Sequence, residues 1–214
     1  MTNTILVTET FLSVQGEGLY TGLPCFFIRL SGCNLSCTYC DTGYAKAPGR
    51  PFDLTALVNE WRDSRVEHVL LTGGEPLLQQ GVYGLMEMLM AAGARVLLET
   101  NGSIHLGHVP TGVLKCVDWK SPSSGMAASW LDVNLRYVSA NDTIKFVISS
   151  RDDYEWAREK VRSRSLDRYT NVIISPVWNG LHLDELAEWI LMDRLPVRVG
   201  FQLHKVIWGN VKGK

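Results

Sequence analysis

Short runs of hydrophobic residues alternate with longer amphipathic stretches along most of the chain. The hydrophobic runs are continuous and rich in valine, isoleucine and leucine, which is typical of strands buried on both faces of a parallel sheet. The predicted strands are Cys25–Leu30, His68–Gly73, Arg95–Thr100, Val113–Trp119, Thr143–Ile148, Asn171–Pro176 and Val197–Leu203.

Helices are predicted between these strands. One begins at Asp53, a favourable N-cap, and another covers Pro76–Gly93, with a proline suited to its first turn and a glycine near its end. Residues 151–164 and 183–193 carry apolar side chains at helical spacing. The alternation predicts βαβ crossovers, and therefore an α/β fold that binds its ligand at the C-terminal ends of the strands. No linker divides the chain, so we expect a single domain over residues 1–214.

The composition narrows the classes of function. The net charge is −1, so the chain has no basic excess that would favour nucleic acid as a direct substrate. Its first residues lack the basic and apolar regions of a signal peptide, and no apolar run approaches the ~20 residues of a membrane span. We therefore expect a cytoplasmic protein that binds neither nucleic acid nor membrane.

Three of the five cysteines, Cys33, Cys37 and Cys40, lie in the stretch "GCNLSCTYCDT". In a reducing compartment, clustered cysteines more often bind metal or carry out redox chemistry than form disulfides. A structural zinc site needs four ligands, and no histidine stands at a zinc-finger spacing from this loop. Three thiolates on a 4Fe–4S cluster would instead leave one iron open to a ligand. On spacing alone, an incomplete zinc site and a redox Cys-x2-Cys pair remain alternatives.

Together with Tyr39 and the stretch "TGGEP" at 72–76, the cysteine loop resembles the signature of the radical S-adenosylmethionine (SAM) enzymes. The resemblance implies a 4Fe–4S cluster that binds and reductively cleaves SAM, and a partial, distorted (β/α) barrel of the radical SAM type with a mainly parallel sheet. It also implies SAM contacts at Gly74 and Glu75. Glycine suits this position because it lets the backbone approach a ligand closely.

The stretch "ETFLSVQGEGLYTGLPCFFIRLSGCNLSCTYCDT" at 9–42 resembles the 7-carboxy-7-deazaguanine synthases. The similarity continues through "LTGGEPLLQ", "ETNG", "DWKSP", "IKFVI", "IISPV" and "QLHKVIW". The resemblance implies conversion of 6-carboxy-5,6,7,8-tetrahydropterin to 7-carboxy-7-deazaguanine with loss of ammonia, assisted by Mg²⁺. It further implies a homodimer and a one-electron reductant such as flavodoxin or ferredoxin.

The same resemblance assigns site residues. It implies substrate contacts at Val14, Gln15, Gly16, Glu17, Arg29, Thr72 and His204. It implies that Cys33, Cys37 and Cys40 hold the cluster and that Thr42 binds magnesium. The further SAM contacts that it implies are Ser121, Pro122, Ser123, Lys145, Ser175, Pro176 and Val177. Ser123 replaces a lysine of the family, which leaves Lys120 or Lys145 to take over the role of that lysine.

Two of these residues also have alternative interpretations. The planar fork of Arg29 matches a carboxylate in two hydrogen bonds, but an arginine on a strand is as often simply ion-paired. Thr42 could close a turn with Asp41 instead of binding a metal.

For the whole chain, the alternatives are a small activase of glycyl-radical enzymes and a zinc- or iron-binding module without catalytic activity. The activase would share the cysteine loop and the Gly-Gly-Glu-Pro turn, but would need a protein partner.

Overall fold

A single nine-stranded sheet organises the chain in the computed structural model, which describes residues 3–214. The first two residues of the expected domain lie outside the described residues. The strands are β1 Thr4–Val14, β2 Pro24–Leu30, β3 Arg50–Asp53, β4 His68–Gly73, β5 Arg95–Thr100, β6 Leu114–Asp118, β7 Thr143–Ile148, β8 Asn171–Pro176 and β9 Arg198–Val199. Their order across the sheet is β3-β1-β2-β4-β5-β6-β7-β8-β9.

The sheet is parallel from β2 to β9, and only β1 runs antiparallel to its neighbours β2 and β3. The prediction of a mainly parallel sheet is therefore confirmed. The strands β1 and β3 were not predicted. In β1 only Ile5 and Val7 are fully buried, so the segment lacks the continuous apolar run that identifies the central strands.

Within residues 3–214, five α-helices accompany the sheet. They are α1 Leu54–Ser64, α2 Gly81–Ala91, α3 Arg151–Arg164, α4 Leu183–Asp193 and α5 Leu203–Trp208. Asp53 caps α1 as predicted, because its carboxylate accepts the backbone N–H groups of Thr55 and Ala56. No helix within residues 3–214 combines the length and apolarity needed to cross a membrane.

Two sequence predictions of single elements were wrong. The helix predicted from Pro76 is split into a short 3-10 turn and α2, with Gln79 in an extended conformation between them. The Gln79 amide bonds backbone groups of Leu6 and Ser31, which holds the chain out of the helix. The strand predicted at Val197–Leu203 is reduced to the two residues of β9, because α5 begins at Leu203.

The two faces of the sheet have different surroundings. The outer face packs on the helices: α1 and α2 cover β2, β4 and β5, while α3 and α4 cover β7 and β8. Burial of each large aliphatic side chain there contributes about 1.5–3 kcal/mol. The inner face carries apolar residues toward the N-terminal ends of the strands and charged residues toward their C-terminal ends. The expectation of strands that are apolar on both faces therefore holds only toward the N-terminal ends of the strands.

The sheet curls around this polar inner face. Lys145 of β7 donates a hydrogen bond to Glu17, which follows β1, although four strands separate β1 from β7 in the sheet. Such curvature gives the sheet the open form of a partial (β/α) barrel. The C-terminal ends of the parallel strands meet around one cavity.

Candidate active site

A cavity of about 460 Å³ lies at the C-terminal ends of the parallel strands. The cysteine loop, the turn after β4, the loop after β1 and the segment around α5 form its walls. The predicted site residues that line it are Gln15, Gly16, Glu17, Arg29, Cys33, Cys37, Cys40, Thr42, Thr72, Gly74, Lys145, Val177 and His204. The predicted residues that do not line it are Val14, Glu75, Ser121, Pro122, Ser123, Ser175 and Pro176.

The cysteine loop is anchored by backbone hydrogen bonds. Gly32 donates its N–H to the carbonyl of Ala45 at 2.8 Å and accepts the N–H of Glu75 at 2.8 Å. The thiol sulfur of Cys33 accepts the backbone N–H of Leu35 at 3.4 Å. All five cysteines are free. These features fit a loop that presents thiolates to a cluster in the cavity.

Within residues 3–214, no three His, Cys, Asp or Glu side chains are grouped closely enough to hold one metal ion. In a 4Fe–4S cluster each thiolate is carried by a different iron, so its cysteines need not converge on one point. The arrangement of Cys33, Cys37 and Cys40 along the cavity wall is compatible with that geometry.

The turn after β4 lies in direct contact with the cysteine loop. A Cβ on Gly74 would stand 2.0 Å from the carbonyl oxygen of Gly32 and 2.8 Å from the Cβ of Cys33. Only glycine allows this approach, which leaves the backbone of the turn exposed to a ligand beside the cluster. The turn and the loop thus form one unit that fits the amino-acid end of SAM.

Glu75 supports this turn from behind. Its buried carboxylate accepts hydrogen bonds from the Leu77 N–H, the Thr100 hydroxyl and the Asn101 N–H at 3.0, 2.8 and 2.7 Å. Burial raises the pKa of Glu75, and these bonds oppose the rise. The side chain therefore braces the turn, and a contact between Glu75 and SAM stays a prediction that would use its backbone.

A group of charged side chains occupies the wall formed by β6 and β7. The Lys120 ammonium lies 2.9 Å from Asp118, and Lys145 bonds Glu17 and stands 3.3 Å from Asp118. Burial lowers the pKa of each lysine, but the facing carboxylates outweigh burial and raise it, so both lysines stay charged. Ser123 is exposed outside the cavity, and its N–H is bonded to Asp153.

Of the two lysines, Lys120 is the better placed to replace the family lysine. Lys145 is flanked by two carboxylates, whereas Lys120 has one hydrogen-bonded partner, Asp118. Lys120 lines the same cavity as Cys37, and its replacement of the family lysine stays a prediction.

Arg29 projects from β2 into the cavity and is also ion-paired. Its Nε–H donates to Glu9 Oε1 at 2.8 Å, and its guanidinium lies 5.7 Å from the ring of Phe11 and 6.0 Å from that of Tyr44. Phe11 in turn stacks on Phe27 with 4.7 Å between ring centroids. The two interpretations of Arg29 are therefore compatible: the ion pair is present and the cavity is within reach.

The loop after β1 is closed by the C-terminal segment. The Leu203 N–H bonds the Gly16 carbonyl at 2.9 Å, and the His204 ring lies so close to Gly16 that a Cβ there would stand 2.0 Å from Nδ1. Burial lowers the pKa of His204, so the imidazole is neutral near pH 7. Gly16 is thus required for the contact between this loop and the cavity wall.

Thr42 lies at the rim of the cavity beside Cys40. Its hydroxyl donates to Asp41 Oδ1 at 2.9 Å, which leaves the oxygen lone pairs unused. Asp41 also accepts from Lys205 at 2.5 Å and from Gln202 at 3.1 Å, and these bonds outweigh burial and hold the pKa of Asp41 well below its usual range. A hydroxyl oriented in this way fits a magnesium site completed by substrate and water, and it equally fits a turn. The role of Thr42 stays a prediction.

Sequence reasoning did not single out several residues of this site. They are Glu9, Phe11, Phe27, Asp41, Tyr44, Glu99, Asp118, Trp178, Gln202 and Lys205. Strand alternation could have identified some of them, since Phe27 shares a face with Arg29. Glu99 accepts a hydrogen bond from the Thr72 hydroxyl at 2.9 Å, and burial raises the pKa of Glu99. No sequence signal pointed to Trp178.

Comparisons with known proteins agree with this geometry. The model of the Radical SAM superfamily matches residues 27–110. A 7-carboxy-7-deazaguanine synthase of Koribacter versatilis is 42% identical over 217 residues, which cover 94% of this chain and 96% of that protein. One from Chlorobaculum tepidum is 39% identical, with 94% and 93% coverage.

Among solved structures, the crystal structure of QueE from Escherichia coli has a similar fold. It superposes with a TM-score of 0.76 over 94% of this chain and 95% of that one, at 22% identity. The similarity of sequence to the curated relatives extends over nearly their full length. The chain therefore belongs to the 7-carboxy-7-deazaguanine synthase family within the radical SAM superfamily.

Proposed function

We propose that this protein converts 6-carboxy-5,6,7,8-tetrahydropterin to 7-carboxy-7-deazaguanine with release of ammonia. The observation that carries the proposal is the shared cavity. The cysteine loop and the Gly74 turn form one part of its wall, and Arg29 presents a guanidinium into the same space. A flat, anionic heterocycle bound to Arg29 would lie within the cavity that holds the cluster and SAM.

The cofactors are a 4Fe–4S cluster and SAM, as in the superfamily to which the chain belongs. When bound and reduced by one electron, they supply the radical that abstracts hydrogen from the substrate. The protein orients the substrate. Arg29 binds the carboxylate, and Thr72, which is paired with Arg29 in the neighbouring strand, binds the ring. Gln15, Glu17 and His204 contact the polar edge of the pterin.

Further parts of the proposal concern the other ligands and partners. Thr42 would hold Mg²⁺ through its hydroxyl oxygen, and the ion would help to bind and orient the anionic substrate. Ser121, Pro122, Ser175 and Pro176 do not line the cavity, so contacts between these residues and SAM would require the segments that carry them to move toward it. The protein is a single domain, acts as a homodimer, and receives its electron from a small redox protein such as flavodoxin or ferredoxin.

The test is turnover by anaerobically reconstituted protein. We expect protein loaded with iron and sulfide to form 7-carboxy-7-deazaguanine and ammonia from 6-carboxytetrahydropterin when SAM and a reductant are present. Cys37→Ala should lose both the cluster and product formation. Cys116→Ala is the matched control, because Cys116 lies within β6 and does not line the cavity, so its replacement should leave the cluster intact.

Two results would contradict the proposal. One is product formation by protein that carries no cluster. The other is a fully loaded enzyme that cleaves SAM but leaves the pterin unchanged, which would favour the activase alternative. Formation of a glycyl radical on a partner protein would then identify that activity.

A further inference from the structure

Glu9 and Arg29 form a cross-strand pair at the wall of the cavity, which Arg29 lines. They are partners in the antiparallel register of β1 and β2, and the Nε–H of Arg29 donates to Glu9 Oε1 at 2.8 Å. Their side chains are 24% and 16% exposed, so the pair is largely shielded from solvent and from screening by salt.

The bond to Glu9 uses only one edge of the guanidinium. Within residues 3–214, Nε–H is the only donor of the Arg29 side chain with a hydrogen-bond partner in the protein. The two Nη groups remain available, and they form the edge that pairs bidentately with a planar carboxylate. Glu9 therefore occupies the Nε edge of the guanidinium and leaves the edge formed by the two Nη groups available to a ligand.

Tyr44 completes the support of Arg29. Its hydroxyl donates to the same Glu9 oxygen at 2.8 Å, and its ring faces the guanidinium at 6.0 Å, while the ring of Phe11 stands at 5.7 Å. One carboxylate and two rings thus support the guanidinium from the side of the protein.

We infer that Glu9 and Tyr44 are positioning residues that make the site selective for a carboxylated pterin over the same ring without the carboxylate. The inference rests on the proposed function, because it requires that Arg29 receives the substrate carboxylate. An arginine fixed in advance loses less side-chain entropy when the ligand binds, so orientation adds to affinity. Glu9 acts on the ligand only through Arg29.

The experiment compares two ligands on anaerobic, cluster-loaded enzyme with SAM bound. Calorimetry measures the Kd of 6-carboxytetrahydropterin and of tetrahydropterin lacking the carboxylate, and their ratio reports carboxylate selectivity. We expect Glu9→Ala to reduce this ratio about 10-fold, the size of one charge-assisted hydrogen bond. The Kd of the uncarboxylated ligand and that of SAM should change little, because neither contacts Arg29.

Two further variants separate orientation from charge. Glu9→Gln keeps an oxygen that accepts the Nε–H and should retain most of the selectivity. Tyr44→Phe keeps the ring and removes the hydrogen bond to Glu9, so its carboxylate selectivity should fall a few-fold. Thr10→Val is the matched control, since Thr10 adjoins Glu9 on β1 but bonds Glu60 on the other face. This variant should behave as wild type.

The outcomes distinguish the inference from the function on which it rests. If the wild type shows no preference for the carboxylated ligand, carboxylate recognition by Arg29 fails and the inference fails with it. If the wild type is selective and Glu9→Ala is equally selective, the inference alone is overturned. Tighter binding of the carboxylated ligand by Glu9→Ala would also overturn it, because Glu9 would then compete with the ligand. Should Glu9→Ala fail to fold, the ratios for Glu9→Gln and Tyr44→Phe decide.

Discussion

Replacement of Gly74 by alanine tests the contact between the turn after β4 and the cysteine loop. The added methyl group would stand 2.0 Å from the Gly32 carbonyl oxygen and 2.8 Å from the Cβ of Cys33. Cβ atoms in proteins essentially never approach another heavy atom below 3.0 Å, so the two backbones must separate by about 1 Å. Neither neighbour is a flexible side-chain end that could move aside.

The loss of folding stability in Gly74→Ala can be estimated from the hydrogen bonds that this separation breaks. The turn and loop are joined by the bonds from Glu75 N–H to Gly32 and from Gly74 N–H to Leu30, at 2.8 and 3.2 Å. Each contributes about 1 kcal/mol net, and overpacking of a rigid site costs about 1–3 kcal/mol. We therefore expect a loss of about 3–5 kcal/mol. In a domain of this size that lowers Tm by roughly 10 °C.

The assay measures both stability and cluster loading. Gly74→Ala should show the lower Tm in the protein without cluster, and should retain little iron and sulfide after reconstitution because Cys33 is displaced. Gly43→Ala is the control: Gly43 lies just beyond the same loop, and a Cβ there would meet nothing within 4 Å. A Gly74→Ala protein with normal Tm and full iron content would refute the reasoning, since the two segments would then separate without consequence.

Two further predictions concern ligand binding. Lys120→Met keeps the length of the side chain and removes the charge, so the Kd of SAM measured by equilibrium dialysis should rise roughly 10-fold or more. Lys115→Met is the control: it disrupts an ion pair with Asp142 outside the cavity and should leave the Kd of SAM unchanged. An unaltered Kd in Lys120→Met would exclude Lys120 as a SAM contact. Thr42→Val should retain its cluster but lose the stimulation of product formation by Mg²⁺, whereas Thr42→Ser should recover it. A normal magnesium titration for Thr42→Val would make this residue a turn-closing one.

Sequence patterns predicted the central sheet because its strands carry the strongest physical signal. Strands β4, β5, β7 and β8 have the predicted bounds, since a short run of apolar residues marks each of them. The pattern failed at the edges of the sheet. The segment at Val197–Leu203 has the composition of a strand, but the hydrogen bond from Leu203 to Gly16 directs the chain into α5 instead.

The candidate site could be predicted where a short motif carries the chemistry. The cysteine loop and the Gly74 turn are local in sequence, so their spacing was informative. Asp41, Gln202 and Lys205 contribute through contacts between distant segments, which no local pattern encodes. Glu9 stood within the motif that identified the family, but only the cross-strand register showed that it holds Arg29.

The closure of the cavity by the C-terminal segment has a consequence for how the protein is made. Gln202 bonds both Glu17 and Asp41, so the wall joins parts of the chain that are synthesised 185 and 161 residues apart. Contacts of such long range form late in folding, because the entropy of closing a large loop opposes them. On the ribosome, the cysteine loop is complete long before the residues that cover it emerge. An iron–sulfur cluster inserted early would face solvent and dissolved oxygen, so productive loading favours the period after Gln202 has made these contacts.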